Sequence, residues 1–295
     1  MNSSLRLCLA AACFAAGFIA LLAPVPVRAG ATAAPSASPS VSASPSPTPG
    51  PVSDPCTSLS NLVSRPSFST SACAVKPNDL LIESGYSNTT AQGTGATSTI
   101  SFPQATLRLG LAHDFEVDVA TPSYERQSSS PKISGTSDSG LGLKYEIGYT
   151  SKVTYGVNAL YTLDTGSAGF SGNGNGILAN VNGALTLSPA VGLFGSFGYN
   201  AQSAGTALAQ QRYHGFDPSL GVSVSLPQSF SIFAEGFGMS STGPGLGGRY
   251  AFDTGILKDV GSRLQLDAEY YDYPGYQNGT RQASVGFGAS YLFGP

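Results

Sequence analysis

The stretch LGLKYEIGYTSKVTYGVNALYTL, residues 141–163, decides the fold. In its first half Leu141, Leu143, Tyr145, Ile147 and Tyr149 alternate with Gly142, Lys144, Glu146 and Gly148. In its second half Val153, Tyr155, Val157, Ala159, Tyr161 and Leu163 alternate with Thr154, Gly156, Asn158 and Thr162. Successive side chains of a strand point to opposite faces, so each half presents one apolar face and one small or polar face. Only Thr150-Ser151-Lys152 separates the halves, which makes the pair a tight hairpin. A one-residue slip would exchange the faces. In the first half it would carry Lys144 into hydrocarbon, at about 2–4 kcal/mol near a bilayer midplane. The apolar set therefore faces outward.

The same alternation marks twelve strands, near 79–86, 101–111, 115–123, 139–149, 153–163, 177–187, 191–199, 214–226, 230–239, 246–256, 264–271 and 281–293. Their connections alternate in length. Short ones fall near 112–114, 150–152, 188–190, 227–229 and 257–263. Long ones, rich in Ser, Gly, Asn and Thr, fall near 87–100, 124–138, 164–176, 200–213, 240–245 and 272–280. An even number of strands with this rhythm predicts an all-β fold: a transmembrane, antiparallel, up-and-down β-barrel of about twelve strands over residues 79–295. Short turns would be periplasmic and long loops extracellular. Tyr86, Tyr124, Tyr161, Tyr199, Tyr213 and Tyr270 near the loops, with Phe115, Tyr149, Tyr155, Phe230, Tyr291 and Phe293 near the turns, resemble two interfacial girdles.

Composition agrees. Only 11% of the 295 residues are charged, against about 25% in an ordinary soluble domain, and there are 37 glycines and no tryptophan. Such a chain is a poor coiled coil or helical bundle. A formal charge of −3 offers no footprint for nucleic acid. A secreted β-sandwich also alternates, but the sparse charge, the strand length and the loop rhythm favour the barrel.

Residues 1–29 read as a secretory signal: Arg6, an apolar run from Leu7 to Ala23, and Val27-Arg28-Ala29 as a cleavage site. Removal takes Cys8 and Cys13 with it. The exported chain would keep 12 basic against 17 acidic side chains, a net charge of −5, once Arg6 and Arg28 are lost. Residues 30–53, almost wholly Ala, Ser, Pro and Thr, cannot bury apolar area and are expected to form a disordered linker. Residues 54–78 form a further segment, expected in the periplasm. There Cys56 and Cys73 make an even pair in an oxidising compartment, and a disulfide closing that loop would contribute on the order of 3 kcal/mol. Thr57 would cap a short helix over 57–63, with Leu59, Leu62 and Val63 on one face.

Alternation also assigns the lumen. The inward acids are Glu83, Glu116, Asp118, Glu146, Glu235, Asp253, Asp267 and Glu269; the inward bases are Arg108, Lys144, Arg249 and Arg263. Arg108 falls opposite Asp118 if the first turn centres on His113, with Lys144 and Glu146 close by. Arg249, Asp253, Arg263, Asp267 and Glu269 form a second group. These charges read as ion pairs holding the wall, or as a constriction that filters solutes with a slight cation preference. Phe194, Phe233 and Phe237 also point inward. They read either as a track for an aromatic or apolar solute or as packing for a plug. Twelve strands lie between the filled eight-stranded barrel and the open sixteen-stranded one.

Enzyme chemistry has little support. There is no G-x-S-x-G elbow, His113 and His214 are isolated, and the glycine strings lack a phosphate-loop context. No catalytic, cofactor-binding or metal-binding set is assigned.

ATLRLGLAHDFEVDVATPSYER at 105–126 and GLGLKYEIGY at 140–149 resemble wall segments of the outer-membrane barrels grouped as transporters of the meta-cleavage phenol-degradation pathway. GFGASYLF at 286–293 is similar to a barrel-assembly signal, although Gly294-Pro295 follow it. The resemblance implies a bacterial outer-membrane location, assembly by the barrel machinery, and cofactor-free passive uptake of small solutes, aromatic ones included. The expectation is thus a channel or passive transporter with membrane lipid and a small solute as partners. A structural or adhesive barrel with a closed lumen is the alternative.

Overall fold

The structure, a computed structural model, describes residues 53–92, 96–112, 114–128, 131–206, 209–273 and 281–294. The expected signal, nearly all of the linker, and His113 lie outside the described residues.

Among the described residues fifteen strands form one antiparallel sheet: β1 Leu80–Gln92, β2 Thr97–Phe102, β3 Thr106–Ala112, β4 Phe115–Ala120, β5 Tyr124–Gln127, β6 Ile133–Thr136, β7 Ser139–Tyr149, β8 Val153–Leu163, β9 Gly176–Ser188, β10 Val191–Thr206, β11 Ala209–Leu226, β12 Phe230–Met239, β13 Arg249–Val260, β14 Leu264–Tyr273 and β15 Arg281–Phe293. The last strand pairs with the first, from Leu80 opposite Phe293 to Gln92 opposite Arg281, so the sheet closes into a barrel. Its wall has twelve staves: β1, β3, β4 and β7 to β15.

The remaining strands β2, β5 and β6 prolong three neighbouring staves beyond breaks at 103–105, 121–123 and 137–138. Pro103 and Pro122 stand in two of those breaks, and neither can donate a ladder hydrogen bond. Past the breaks the order is β1–β2–β5–β6.

Two of the long connections expected as loops are largely sheet. The pair β10–β11 stays in register up to Thr206 opposite Ala209, and β1–β2 up to Ala91 opposite Thr97. Their Ser, Thr, Gly and Ala residues pair as readily as they loop once a neighbouring strand supplies the register. At about 3.3 Å per residue the 16-residue β10 is some 53 Å long, more than a tilted strand needs to cross hydrocarbon. The arm therefore projects beyond the apolar band. At the other end the turns are short, and Asp114, Gln228 and Gly261 take the left-handed conformation that reverses the chain there.

The outward face is apolar. Leu141, Leu143, Tyr145, Ile147 and Tyr149 are all exposed, with Leu143 at 50%, while Lys144 and Glu146 between them are buried. The face assignment made from the cost of a slip is the one the fold adopts.

Residues 54–78, expected as a periplasmic segment of open position, pack against the inner face of the barrel wall. They lie inside the barrel, at the short-turn end, and form a plug. A 3-10 turn, Pro55–Thr57, leads into a single helical turn, Leu59–Leu62, and a disulfide joins Cys56 to Cys73. The cap differs from the sequence expectation: Ser58 occupies the N-cap, and Asp54 accepts from the Cys56 N–H at 2.8 Å. Cys56, Leu59, Leu62, Val63, Cys73 and Val75 make a small apolar core with Leu81 on the wall, and Leu292 packs against it. This core packs the plug against the wall beside the polar contacts of the lumen.

Candidate functional site

The plug is held chiefly through its backbone. An irregular segment exposes N–H and C=O groups that no ladder satisfies, and burying them unpaired would be costly. The wall meets them with charge. Glu83 accepts from Ser64 N–H at 2.9 Å, Glu116 from Val75 N–H at 2.5 Å, and Glu146 from Ala74 N–H at 3.3 Å. Glu235 accepts from the N–H groups of Phe68 and Ser69, at 2.9 and 3.1 Å, and from the Ser69 hydroxyl. The Tyr271 hydroxyl donates to the Pro66 carbonyl at 2.8 Å.

Arg108 is the centre of this arrangement. Its guanidinium is buried, and all five N–H donors have acceptors. Nε donates to Glu116 at 2.8 Å; Nη1 donates to Glu83 at 2.7 Å and the Leu62 carbonyl at 2.6 Å; Nη2 donates to Glu116 and the Cys73 carbonyl, both at 3.2 Å. Lys144 adds a contact to Glu116 at 3.3 Å. One wall cation thus ties two wall acids to two plug carbonyls. Asp118, directly across the ladder and expected as the partner, is farther away at 3.9 Å. Opposite residues share a face, but the long Arg108 side chain reaches along it to the acids that also hold the plug.

The second charge group is also rearranged. Asp267 and Glu269 are met by Arg65 of the plug, at 3.2 and 4.0 Å. Arg249 lies at the long-loop end of β13, within 3.4 Å of Gln282. Arg263, expected among the lumen cations, is exposed on the turn before β14. The two arginines stand at opposite ends of a hairpin, so they cannot serve the same acids. Asp253 is buried between Glu235 and Tyr271 on the neighbouring strands.

The three phenylalanines do not form a continuous track. Phe68 of the plug stacks on Phe237, ring centres 4.0 Å apart and planes at 6°. Phe194 meets Phe233 edge-on at 6.2 Å. Phe237 in turn supports Tyr271 and Tyr273 edge-on, at 6.0 and 5.8 Å. The sequence left plug packing open for these residues, and Phe237 is used that way.

Glycine on the lumen face makes room for the plug. A Cβ on Gly85 or Gly288 would fall 2.3 or 2.5 Å from the Arg65 guanidinium, and one on Gly156 would fall 2.5 Å from the Ala72 carbonyl oxygen. Sequence reasoning passed over these positions. Their signal was glycine recurring on the inward set of otherwise well-formed strands.

The plug does not fill the lumen. On its long-loop side lies a bay of about 630 Å³, and between the plug and β8–β13 near the short turns lies a second cavity of about 210 Å³ that includes Phe194 and Phe233. Among the described residues one group of metal-type ligands comes close together, Cys56, Cys73 and Glu146, but the two sulfurs are bonded to each other. His214 faces outward beside Tyr199.

No family model matches the chain, and no curated protein matches it. Solved structures do. The NanC porin is 11% identical over 72% of this chain and 98% of its own, with a TM-score of 0.48. The translocator domain of the autotransporter NalP from Neisseria meningitidis is 14% identical over 73% of this chain and 88% of its own, at 0.44. The CymD monoaromatic hydrocarbon channel is 11% identical over 74% and 88%, at 0.38.

Proposed function

We propose that this protein is an outer-membrane channel, passive and cofactor-free, for small solutes, with residues 54–78 as a plug that narrows its periplasmic end. A closed sheet with apolar residues outside and carboxylates inside is stable only where its outer face meets hydrocarbon. The observation that supports passage is that the lumen is incompletely filled: cavities flank the plug toward the long loops and toward the short turns. A barrel whose interior served only as a core would pack to the density of other protein interiors.

The second reading, a structural barrel with a closed lumen, draws support from Arg108. Its full set of bonds to wall and plug is what a permanent stopper would use.

Conductance across a planar bilayer separates them. The channel reading expects stepwise currents from the mature protein, larger once residues 30–78 are deleted, with a slight cation preference. Silence in both forms would overturn it and leave the structural barrel. The resemblance to phenol-pathway transporters makes aromatic compounds one class to assay for uptake, but the lumen chemistry below points elsewhere.

A further inference from the structure

The bay on the long-loop side of the plug exists because three adjacent staves break at one level, and the breaks line it with polar groups. Gln104, in the first break, donates through Nε2 to Ser87 Oγ at 2.9 Å. Ser123, in the second, donates its hydroxyl to the Pro103 carbonyl at 3.0 Å and its N–H to Ser137 Oγ, in the third, at 2.9 Å. Across the bay stand Tyr271 and Tyr273, with Gln282 beside them. Phe237 braces both rings edge-on, and Tyr271 is pinned to the plug at Pro66.

Most charges on the bay are already engaged. Glu83 is bound to Arg108 and Ser64, and Asp138 accepts from the N–H groups of Thr165, Gly166 and Gly172. Arg65 faces Asp267 and Glu269. Glu269 lines the bay beside Arg65.

We propose that this bay is a recognition subsite for a small polyhydroxylated solute of neutral or positive charge. The inference rests on the channel reading and names the class of compound that would pass. Hydroxyl and amide groups both donate and accept, as a ring of ligand hydroxyls requires. The tyrosine faces offer an apolar plane to the C–H side of such a ring. Glu83, Asp138 and Glu269 outnumber Arg65 among the charged residues that line the bay, and that balance disfavours an anion. A purely apolar solute would instead strip water from these groups without replacing its hydrogen bonds. A volume of about 630 Å³ is within the ordinary range for small-molecule sites, roughly 300–1,000 Å³.

The test is calorimetric titration of the refolded mature protein with three pyranoses of one shape: glucose, glucosamine and glucuronate. Glucose and glucosamine are expected to bind, with glucuronate weaker by tenfold or more. Tyr273→Leu and Gln104→Leu, on opposite walls, should each weaken glucose about tenfold, which corresponds to about 1.4 kcal/mol, while the thermal unfolding of the barrel stays unchanged. Two variants from different walls guard against one that fails to fold. Absence of binding by all three sugars, or glucuronate binding best, overturns the proposal. Conducting protein that binds no sugar sinks the subsite and leaves the channel; a silent bilayer with glucose bound sinks the channel and leaves the subsite.

Discussion

Substituting Gly156 by alanine tests whether the plug is seated as described. The added Cβ would lie 2.5 Å from the Ala72 carbonyl oxygen, where ordinary contact begins near 3.4 Å. That oxygen belongs to backbone, so the plug must retreat by about 0.9 Å or the wall must strain. Retreat stretches the neighbouring bonds, Ala74 N–H to Glu146 at 3.3 Å and Cys73 carbonyl to Arg108 at 3.2 Å, past hydrogen-bonding range. Bonds to charged groups contribute about 1.5–3 kcal/mol each, and overpacking costs about 1–3 kcal/mol. The cheaper route sets the outcome, so docking weakens by about 1–3 kcal/mol, or roughly 5–150-fold in the undocked population. Alanine also favours the extended strand over glycine, by about 0.5–1 kcal/mol, but it does so whether or not the plug is seated. Gly236→Ala is the control, since its Cβ points outward and meets nothing nearer than Phe252 at 3.8 Å. Digestion with a non-specific protease should release residues 54–78 faster from Gly156→Ala than from the control, and the bilayer current should rise. Equal protection and equal current in the two variants would refute the seating.

Arg108→Met should loosen the plug more severely, by about 3–5 kcal/mol, because Glu83 and Glu116 lose their shared cation in a buried site; the protease assay reads the effect. Leu143→Arg is expected to destabilise the barrel by about 2–4 kcal/mol in lipid, measured by denaturant unfolding in liposomes, without altering the plug. Replacing Cys56 and Cys73 together by alanine removes a link across 17 residues and should cost the plug on the order of 3 kcal/mol, seen as faster digestion with an unchanged barrel melting temperature.

The wall was legible because its period is two and a slip is expensive: Lys144 alone fixes the facing of β7, and through the hairpin that of β8. The lumen list followed from the same count, and it misplaced Arg263 because the inward parity of the eleventh strand was carried onto a residue that already belonged to the turn expected at 257–263. The position of the plug could not be read this way. Its bonds run from backbone N–H groups to Glu83, Glu116, Glu146 and Glu235, and backbone leaves no mark in a sequence. Two hints were present. Eight inward acids outnumbered the inward bases, and glycines recurred at inward positions such as Gly85, Gly156 and Gly288. Pro103 and Pro122 inside expected strands were likewise a sign of the breaks that shape the bay.

The pairing of the first strand with the last, Leu80 beside Phe293, also bears on how the molecule is put together. Until that seam forms, the curved sheet has an open side, and residues 54–78, directly upstream of β1, can settle against its carboxylates laterally. After closure the same residues can leave only along the axis, past the turns, with Arg108 and Glu235 letting go on the way. Entry and exit then follow different paths with different barriers. How long the stopper stays in place becomes a question of rates, set by the exit path, rather than of docking energy alone.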